Sequence, residues 1–199
     1  MNKFEFLSMN NPLRRYIQKH IEIPKLKLYS ESLKGKTVLE IGCGSGYGTQ
    51  LIKQHFLAKE IHGIDLDERM IAIAKQENRD QTIHFEVGDA AQLPYPDDFF
   101  DGVFDFGIIH HIPNWKNCLD ELKRVLKPGG QLILEDLSTE TFATPFGKFF
   151  KLVLDHPYQN MFTRNEFITY LESIGLTVMH KKVFYPLSLI QYFIVIAQK

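Results

Sequence analysis

The stretch Val38-Leu39-Glu40-Ile41-Gly42-Cys43-Gly44-Ser45-Gly46-Tyr47-Gly48 decides the reading of this chain. It opens as a strand, Thr37 to Ile41, runs into a glycine cluster, and continues as a helix to about Phe56. Glycines directly after a strand let the backbone turn sharply and let a ligand approach where a Cβ would collide. The first turn of the following helix offers N–H groups with no partner inside the helix. Gly42 and Gly44 fit the first two places of the dinucleotide pattern G-x-G-x-x-G. Tyr47 holds the third, which argues against a nicotinamide or flavin dinucleotide. No Gly-Lys-Ser/Thr follows, so a Walker phosphate loop is excluded.

Working outward, a second strand, Glu60 to Ile64, ends at Asp65. That carboxylate lies about twenty residues past the glycine cluster, the spacing at which an acidic side chain reaches ribose hydroxyls. Asp67 is placed to cap the next helix, in which Met70, Ile71 and Ala74 share a face, and this leaves Asp65 for a ligand. A third strand, Ile83 to Val87, delivers Gly88-Asp89-Ala90. There the Asp89 carboxylate can accept from an adenine amino group while the Ala90 N–H donates to a ring nitrogen; otherwise Asp89 is a surface turn residue.

The rest of the chain keeps alternating strand-like and helix-like patterns, the signature of βαβ units on a mainly parallel sheet. A fourth strand is expected over Gly102–Ile108 and a helix from about Asn114 to Leu126, stopped by Pro128-Gly129-Gly130. A fifth strand follows over Gln131–Leu134. Thr144 and Pro145 can start a helix carrying Phe146, Phe149, Phe150 and Val153, bounded by Pro157. Thr163 and Glu166 form a capping box, with Phe162 and Phe167 placed as a hydrophobic staple, and Gly175 ends that helix. Strands near Thr177–Val183 and Tyr192–Ala197 would close the sheet. At the other end, Asn11 can cap and Pro12 can begin an N-terminal helix, with Leu13, Tyr16, Ile17, His20 and Ile21 on one face. It reads either as a helix packed on the domain or as a lid.

The totals exclude several classes. With 199 residues the chain fits one domain, and 44% hydrophobic residues suffice for a sizeable core. The formal net charge is −1 and the cations are scattered, so no basic field draws in nucleic acid. Met1 to Glu5 lack the apolar core of a secretory signal, and the longest apolar runs are strand-length, so no membrane insertion is expected. Cys43 and Cys118 form neither a disulfide framework nor a zinc spacing, and no metal is expected; a reducing, cytoplasmic setting fits.

Taken in order, five stretches resemble the class I S-adenosylmethionine-dependent methyltransferases, in particular the small-molecule group that includes ubiquinone/menaquinone-type enzymes. They are Val38 to Gly46, Gly63-Ile64-Asp65-Leu66, Gly88 to Pro94, Phe100-Asp101 with Ile108-Ile109-His110-His111-Ile112, and Arg124 to Gly130. The resemblance covers about Lys36 to Leu137. It implies a Rossmann-like three-layer α/β sandwich with a mainly parallel seven-stranded sheet, its last strand antiparallel. Residues 1–34 then form the N-terminal extension or lid, 35–199 the methyltransferase domain and 139–162 an acceptor-side insert. It implies that Glu40 orders the glycine loop and reaches the methionyl amino group through water, and that Gly42, Gly44 and Gly46 line the methionine part of S-adenosylmethionine. Asp65 would hold the ribose, Leu66 would flank the adenine, Asp89 and Ala90 would read its edge, and Gly107 would lie near the donor's amino group. The Asn/Asp-Pro-Pro-aromatic tetrad of DNA and N6-adenine methyltransferases is missing; Gly107-Ile108-Ile109-His110-His111 stands in its place.

His110 and His111 follow the fourth strand, at the carboxyl ends where α/β ligands bind, and are the candidate catalytic residues. Equally they can be structural or shape the donor pocket. His156 and Tyr158 are weaker candidates. Phe142, Phe146, Phe149, Phe150 and Met161 suggest a small, hydrophobic acceptor, or simply a packed helix. Two alternatives stand beside the methyltransferase: a non-catalytic S-adenosylmethionine-binding protein of the same fold, and a Rossmann oxidoreductase, which Tyr47 disfavours.

Overall fold

The computed structural model describes residues 11–144, 147–148, 151, 158–185 and 191–199. Phe146, Phe149, Phe150, Val153, His156 and Pro157 lie outside these, and with them the helix expected from Thr144. In chain order the elements are α1 (Pro12–Ile17), a π turn (Gln18–Glu22), α2 (Ile23–Tyr29), β1 (Thr37–Ile41), α3 (Tyr47–Phe56), β2 (Glu60–Asp65), α4 (Glu68–Glu77), β3 (Ile83–Val87) and β4 (Phe100–Phe106). There follow a 3-10 turn (Ile109–His111), α5 (Trp115–Val125), β5 (Leu126–Asp136), α6 (Thr139–Ala143), α7 (Arg164–Ser173), β6 (Thr177–Phe184) and β7 (Tyr192–Gln198).

The seven strands form one sheet in the order β3-β2-β1-β4-β5-β7-β6. β1 to β5 pair in parallel, and β7 inserts antiparallel between β5 and β6. The period-two alternation of strands sends neighbouring residues to opposite layers. Leu39, Val103, Leu132 and Leu134 meet Leu119 and Leu122 of α5 and Phe167 and Leu171 of α7. Val38, Phe104, Ile133 and Ile194 meet Ile23 and Leu26 of α2 and Leu51 and Ile52 of α3. The result is the expected three-layer sandwich, with the carboxyl ends of β1 to β5 along one edge.

Helix boundaries follow local chemistry. Asn11 Oδ1 accepts from Arg14 N–H at 2.8 Å and Pro12 opens α1. Thr163 Oγ1 accepts from Glu166 N–H at 3.2 Å while Glu166 Oε2 accepts from Thr163 N–H at 2.8 Å. The Phe162 and Phe167 rings pack against each other over that start, tilted by 45° with centroids 4.6 Å apart, and Gly175, at φ +86°, ends the helix.

Three expectations need correction. The first is the face of the N-terminal helix: Leu13 and Tyr16 are each 57% exposed, whereas Gln18, Glu22, Ile23 and Leu26 are buried. Pro24 offers no N–H to the preceding turn, and the helix there widens into the π turn, which rotates the buried face. The second is the end of β4, which stops at Phe106 rather than Ile108, because Gly107 turns at φ +85° and Asp105 Oδ1 accepts from Ile108 N–H at 2.8 Å. The third concerns α5, which ends at Val125, before Pro128. β5 begins at Leu126 because that residue already pairs with Phe100, across a bulge.

The rotated N-terminal face buries an ion pair. Arg14 Nη1 donates to both Glu22 oxygens, at 2.7 and 2.6 Å, with the Glu22 side chain fully buried, and Arg14 Nη2 lies 3.4 Å from the carbonyl at the end of β4, Phe106 O. Removing one member of such a pair strands the other charge in a dry site. Arg14→Met is therefore expected to cost about 3 kcal/mol of unfolding free energy, measured by urea denaturation; an unchanged midpoint would show that the pair holds nothing in place.

Candidate functional site

The glycine loop leaves β1 with Gly42, Gly44 and Gly46 all at left-handed φ, +60°, +51° and +82°. At Gly44 no atom of the described residues lies within 4 Å of where a Cβ would stand, so its free side faces open space at the sheet's carboxyl edge. Gly48, one residue into α3, is required for a different reason: a Cβ there would sit 2.0 Å from Glu40 Oε1. Glu40 lies beneath the helix start, 2% exposed, and its Oε2 makes no hydrogen bond among the described residues. Burial, then the nearby Asp65 and Asp105 carboxylates, push its pKa well above the usual range.

Asp65 ties the tips of β1 and β2 together. Its Oδ2 accepts from Gly44 N–H at 2.8 Å and its Oδ1 from Asp67 N–H at 2.9 Å. Asp67 in turn caps α4, accepting from Arg69 N–H at 3.0 Å, as its position suggests. Each carboxylate oxygen carries two lone pairs, so Asp65 keeps acceptor capacity for a diol. Beyond it Leu66 is 74% exposed. At the tip of β3, exposed Asp89 accepts from Ala91 N–H at 2.8 Å through Oδ1, and Ala90 is buried behind it. At the tip of β4, Gly107 has, among the described residues, only Glu135 O, at 3.8 Å, near its Cβ position. The loop after β1 thus meets the tips of β2, β3 and β4 at one sheet edge.

Residues 39–134 match the family model of a methyltransferase domain. Over this stretch, just under half of the chain, the sequence is similar to S-adenosylmethionine-dependent methyltransferases. It is 33% identical over 130 residues to a fatty-acid O-methyltransferase of Mycolicibacterium smegmatis, covering 65% of this chain and 46% of that protein. It is 34% identical over 118 residues to a phthiotriol/phenolphthiotriol dimycocerosates methyltransferase of Mycobacterium tuberculosis, covering 59% of this chain and 44% of that protein. The chain therefore spans less than half the length of these curated relatives. An S-adenosylmethionine-dependent methyltransferase of Aquifex aeolicus shares the fold, with a TM-score of 0.75 over 99% of this chain and 98% of that one at 21% identity.

In this methyltransferase domain the two histidines after β4 differ sharply. His110 is 4% exposed; its backbone N–H donates to Asp136 Oδ2 at 3.1 Å and its ring Nδ1 pairs with Asp136 Oδ1. Burial pushes the His110 pKa down to about 3 and the Asp136 pKa up to about 8. His111 is half-buried and lies against it, ring centroids 4.1 Å apart. The sequence reading passed over Asp105, Glu135 and Asp136, all fully buried near the carboxyl ends of β4 and β5. The only signal was acidic residues interrupting apolar strands, at Phe104-Asp105-Phe106 and Leu134-Glu135-Asp136-Leu137.

Asp136 links folding to pH. In the unfolded chain it releases its proton near its ordinary value of 3.8, whereas in the fold it holds it up to about 8. Its contribution favours the folded state at acidic pH and is lost as pH rises through that window. Urea unfolding of Asp136→Asn should show a shallower decline of stability between pH 4 and 8 than the unsubstituted chain; parallel curves would refute the shift.

Proposed function

We propose that this chain transfers the methyl group of S-adenosylmethionine to a small hydrophobic acceptor. The observation that carries the donor half is the pairing of Asp65, which grips the glycine loop yet keeps acceptor capacity, with Glu40, whose buried Oε2 has no hydrogen-bond partner among the described residues. An unpartnered buried carboxyl is costly unless a ligand or water satisfies it, and the donor's methionyl ammonium suits it. The remaining lone pairs of Asp65 suit a ribose diol, exposed Leu66 gives an apolar wall for adenine, and Asp89 with the Ala90 N–H suits the base edge. Gly42, Gly44, Gly46 and Gly107 give the donor close backbone approach.

When bound, the donor supplies a methyl group on a sulfonium, open to in-line displacement. The chain's contribution is positioning and exclusion of water. An acceptor that is already anionic, such as a carboxylate, needs no base, whereas a hydroxyl does. His110, pushed down to about 3 and held by Asp136, is a poor proton acceptor near neutrality, so it acts by orienting the tip of β4. The less buried His111 is the better-placed acceptor of a proton. The relatives named for fatty acids and dimycocerosates, together with the aromatic residues of 139–162, support an apolar acceptor with a long chain.

Calorimetry with S-adenosylhomocysteine tests the donor site. One molecule should bind per chain, and Asp65→Asn should weaken binding roughly tenfold to a hundredfold through loss of charge-assisted hydrogen bonds. No heat of binding would overturn the reading, and binding without turnover on any acceptor would favour a non-catalytic binding protein.

For the acceptor, transfer of labelled methyl should be measured across fatty acids and long-chain alcohols. On a hydroxyl acceptor, His111→Gln should lower kcat by about a hundredfold or more while leaving S-adenosylhomocysteine affinity unchanged. Transfer to peptides or nucleic acid but not to lipid-like molecules would sink the acceptor assignment.

A further inference from the structure

The sheet carries a second cluster of chemistry-bearing side chains at the opposite end of β2 from the donor crevice. Glu60 and His62 are two residues apart on β2 and so share a face. His84 pairs directly with His62 across the β2–β3 register and shares that face too. The two imidazole rings lie 5.0 Å apart. Glu60 Oε1 stands 3.4 Å from His62 Nε2 and 3.3 Å from His84 Nε2, and one ligand atom from each residue lies within 4.8 Å of the others. In a tetrahedral zinc site with bonds of about 2.0–2.1 Å, neighbouring ligand atoms are about 3.3 Å apart. Both carboxylate-to-imidazole separations already match that edge.

Two further observations point to a bound ion. Among the described residues, the one polar contact of buried His62 Nε2 is Glu60 Oε1, at 3.4 Å and without the alignment of a good hydrogen bond, an unusual state for a strong polar group. Its ring is held in place by Tyr95, Phe99 and Phe100, packed edge-on at 5.5, 5.8 and 5.4 Å, while Glu60 and His84 keep one side open to solvent. Glu86, the next residue on that face of β3, is taken by the Tyr95 hydroxyl, which leaves a fourth position to water.

We propose that Glu60, His62 and His84 form a binding site for a divalent transition-metal ion of the zinc class, which clips edge strand β3 to β2. Two imidazoles and one carboxylate are the ligand set such ions favour. Asp65 lies three residues beyond His62 and five beyond Glu60, roughly 10 to 16 Å along β2, so the ion stands apart from methyl transfer and acts as a structural staple.

The test uses the full chain freed of metal by chelation and titrated with zinc chloride by calorimetry, with cobalt absorption to report the coordination geometry. One ion per chain is expected, with a melting temperature raised by zinc, because a ligand bound only by the folded state stabilises it. His84→Ala, at a half-exposed edge position, and Glu60→Gln should each weaken binding by more than about tenfold, the lower end of what loss even of an outer partner costs. Both should leave S-adenosylhomocysteine affinity unchanged, so failure here and failure of the donor site are separable. The chain holds 8 histidines, so zinc binding of unaltered strength in both variants would place the ion elsewhere and overturn the proposal. So would the absence of saturable binding, which would leave Glu60 as a simple acceptor between two rings.

Discussion

β1 is paired on both edges, by β2 and β4, and covered on both faces by helices, so its chain can leave only over its carboxyl end. That confinement is the constraint from which the site follows. The exit must turn at once, without Cβ atoms in the way, and the turn needs a fixed anchor. Asp65 provides it by accepting Gly44 N–H across the gap to β2. Parallel pairing brings the other strand tips to the same edge, which is where ligands of open α/β sheets bind.

The same edge concentrates buried acid. Glu22, Glu40, Asp105, Glu135 and Asp136 are all at most 2% exposed, and Arg14 is paired with only one of them. Burial pushes Asp105, Glu135 and Asp136 upward, so the fold keeps protons there that the unfolded chain would release. Held protonated, these carboxyls carry little charge of their own, and a ligand with cationic groups, such as a sulfonium donor bearing an ammonium, favours their ionised form. The N-terminal segment touches the end of β4 through the hydrogen bond from Arg14 Nη2 to Phe106 O and packs on the sheet through Ile23 and Leu26.

Local signals were legible wherever a few neighbouring residues settle the conformation. Asn11, Asp67 and Thr163 cap their helices, and Gly175 ends one, because each decision involves atoms within about one turn. The three left-handed glycines after β1 belong to the same class. The N-terminal face was misjudged because Pro24 acts on the turn before it and shifts the helical period, which an unbroken 3.6-residue pattern conceals. The end of β4 was misplaced because the side chain of Asp105 closes the turn ahead of the apolar Ile108 and Ile109.

By itself, the sequence determined the alternation of strands and helices, the glycine turn, and the carboxylates at the strand tips, since these depend on backbone preferences and spacing along one stretch of chain. Only the tertiary structure decided which distant groups meet: Asp136 with His110, Arg14 with the carbonyl at the end of β4, and His84 opposite His62. Those encounters depend on strand order and register, and a shift of one residue would turn every side chain to the other face. The free energy that selects one register comes from burying whole layers at once, so no single segment carries that information.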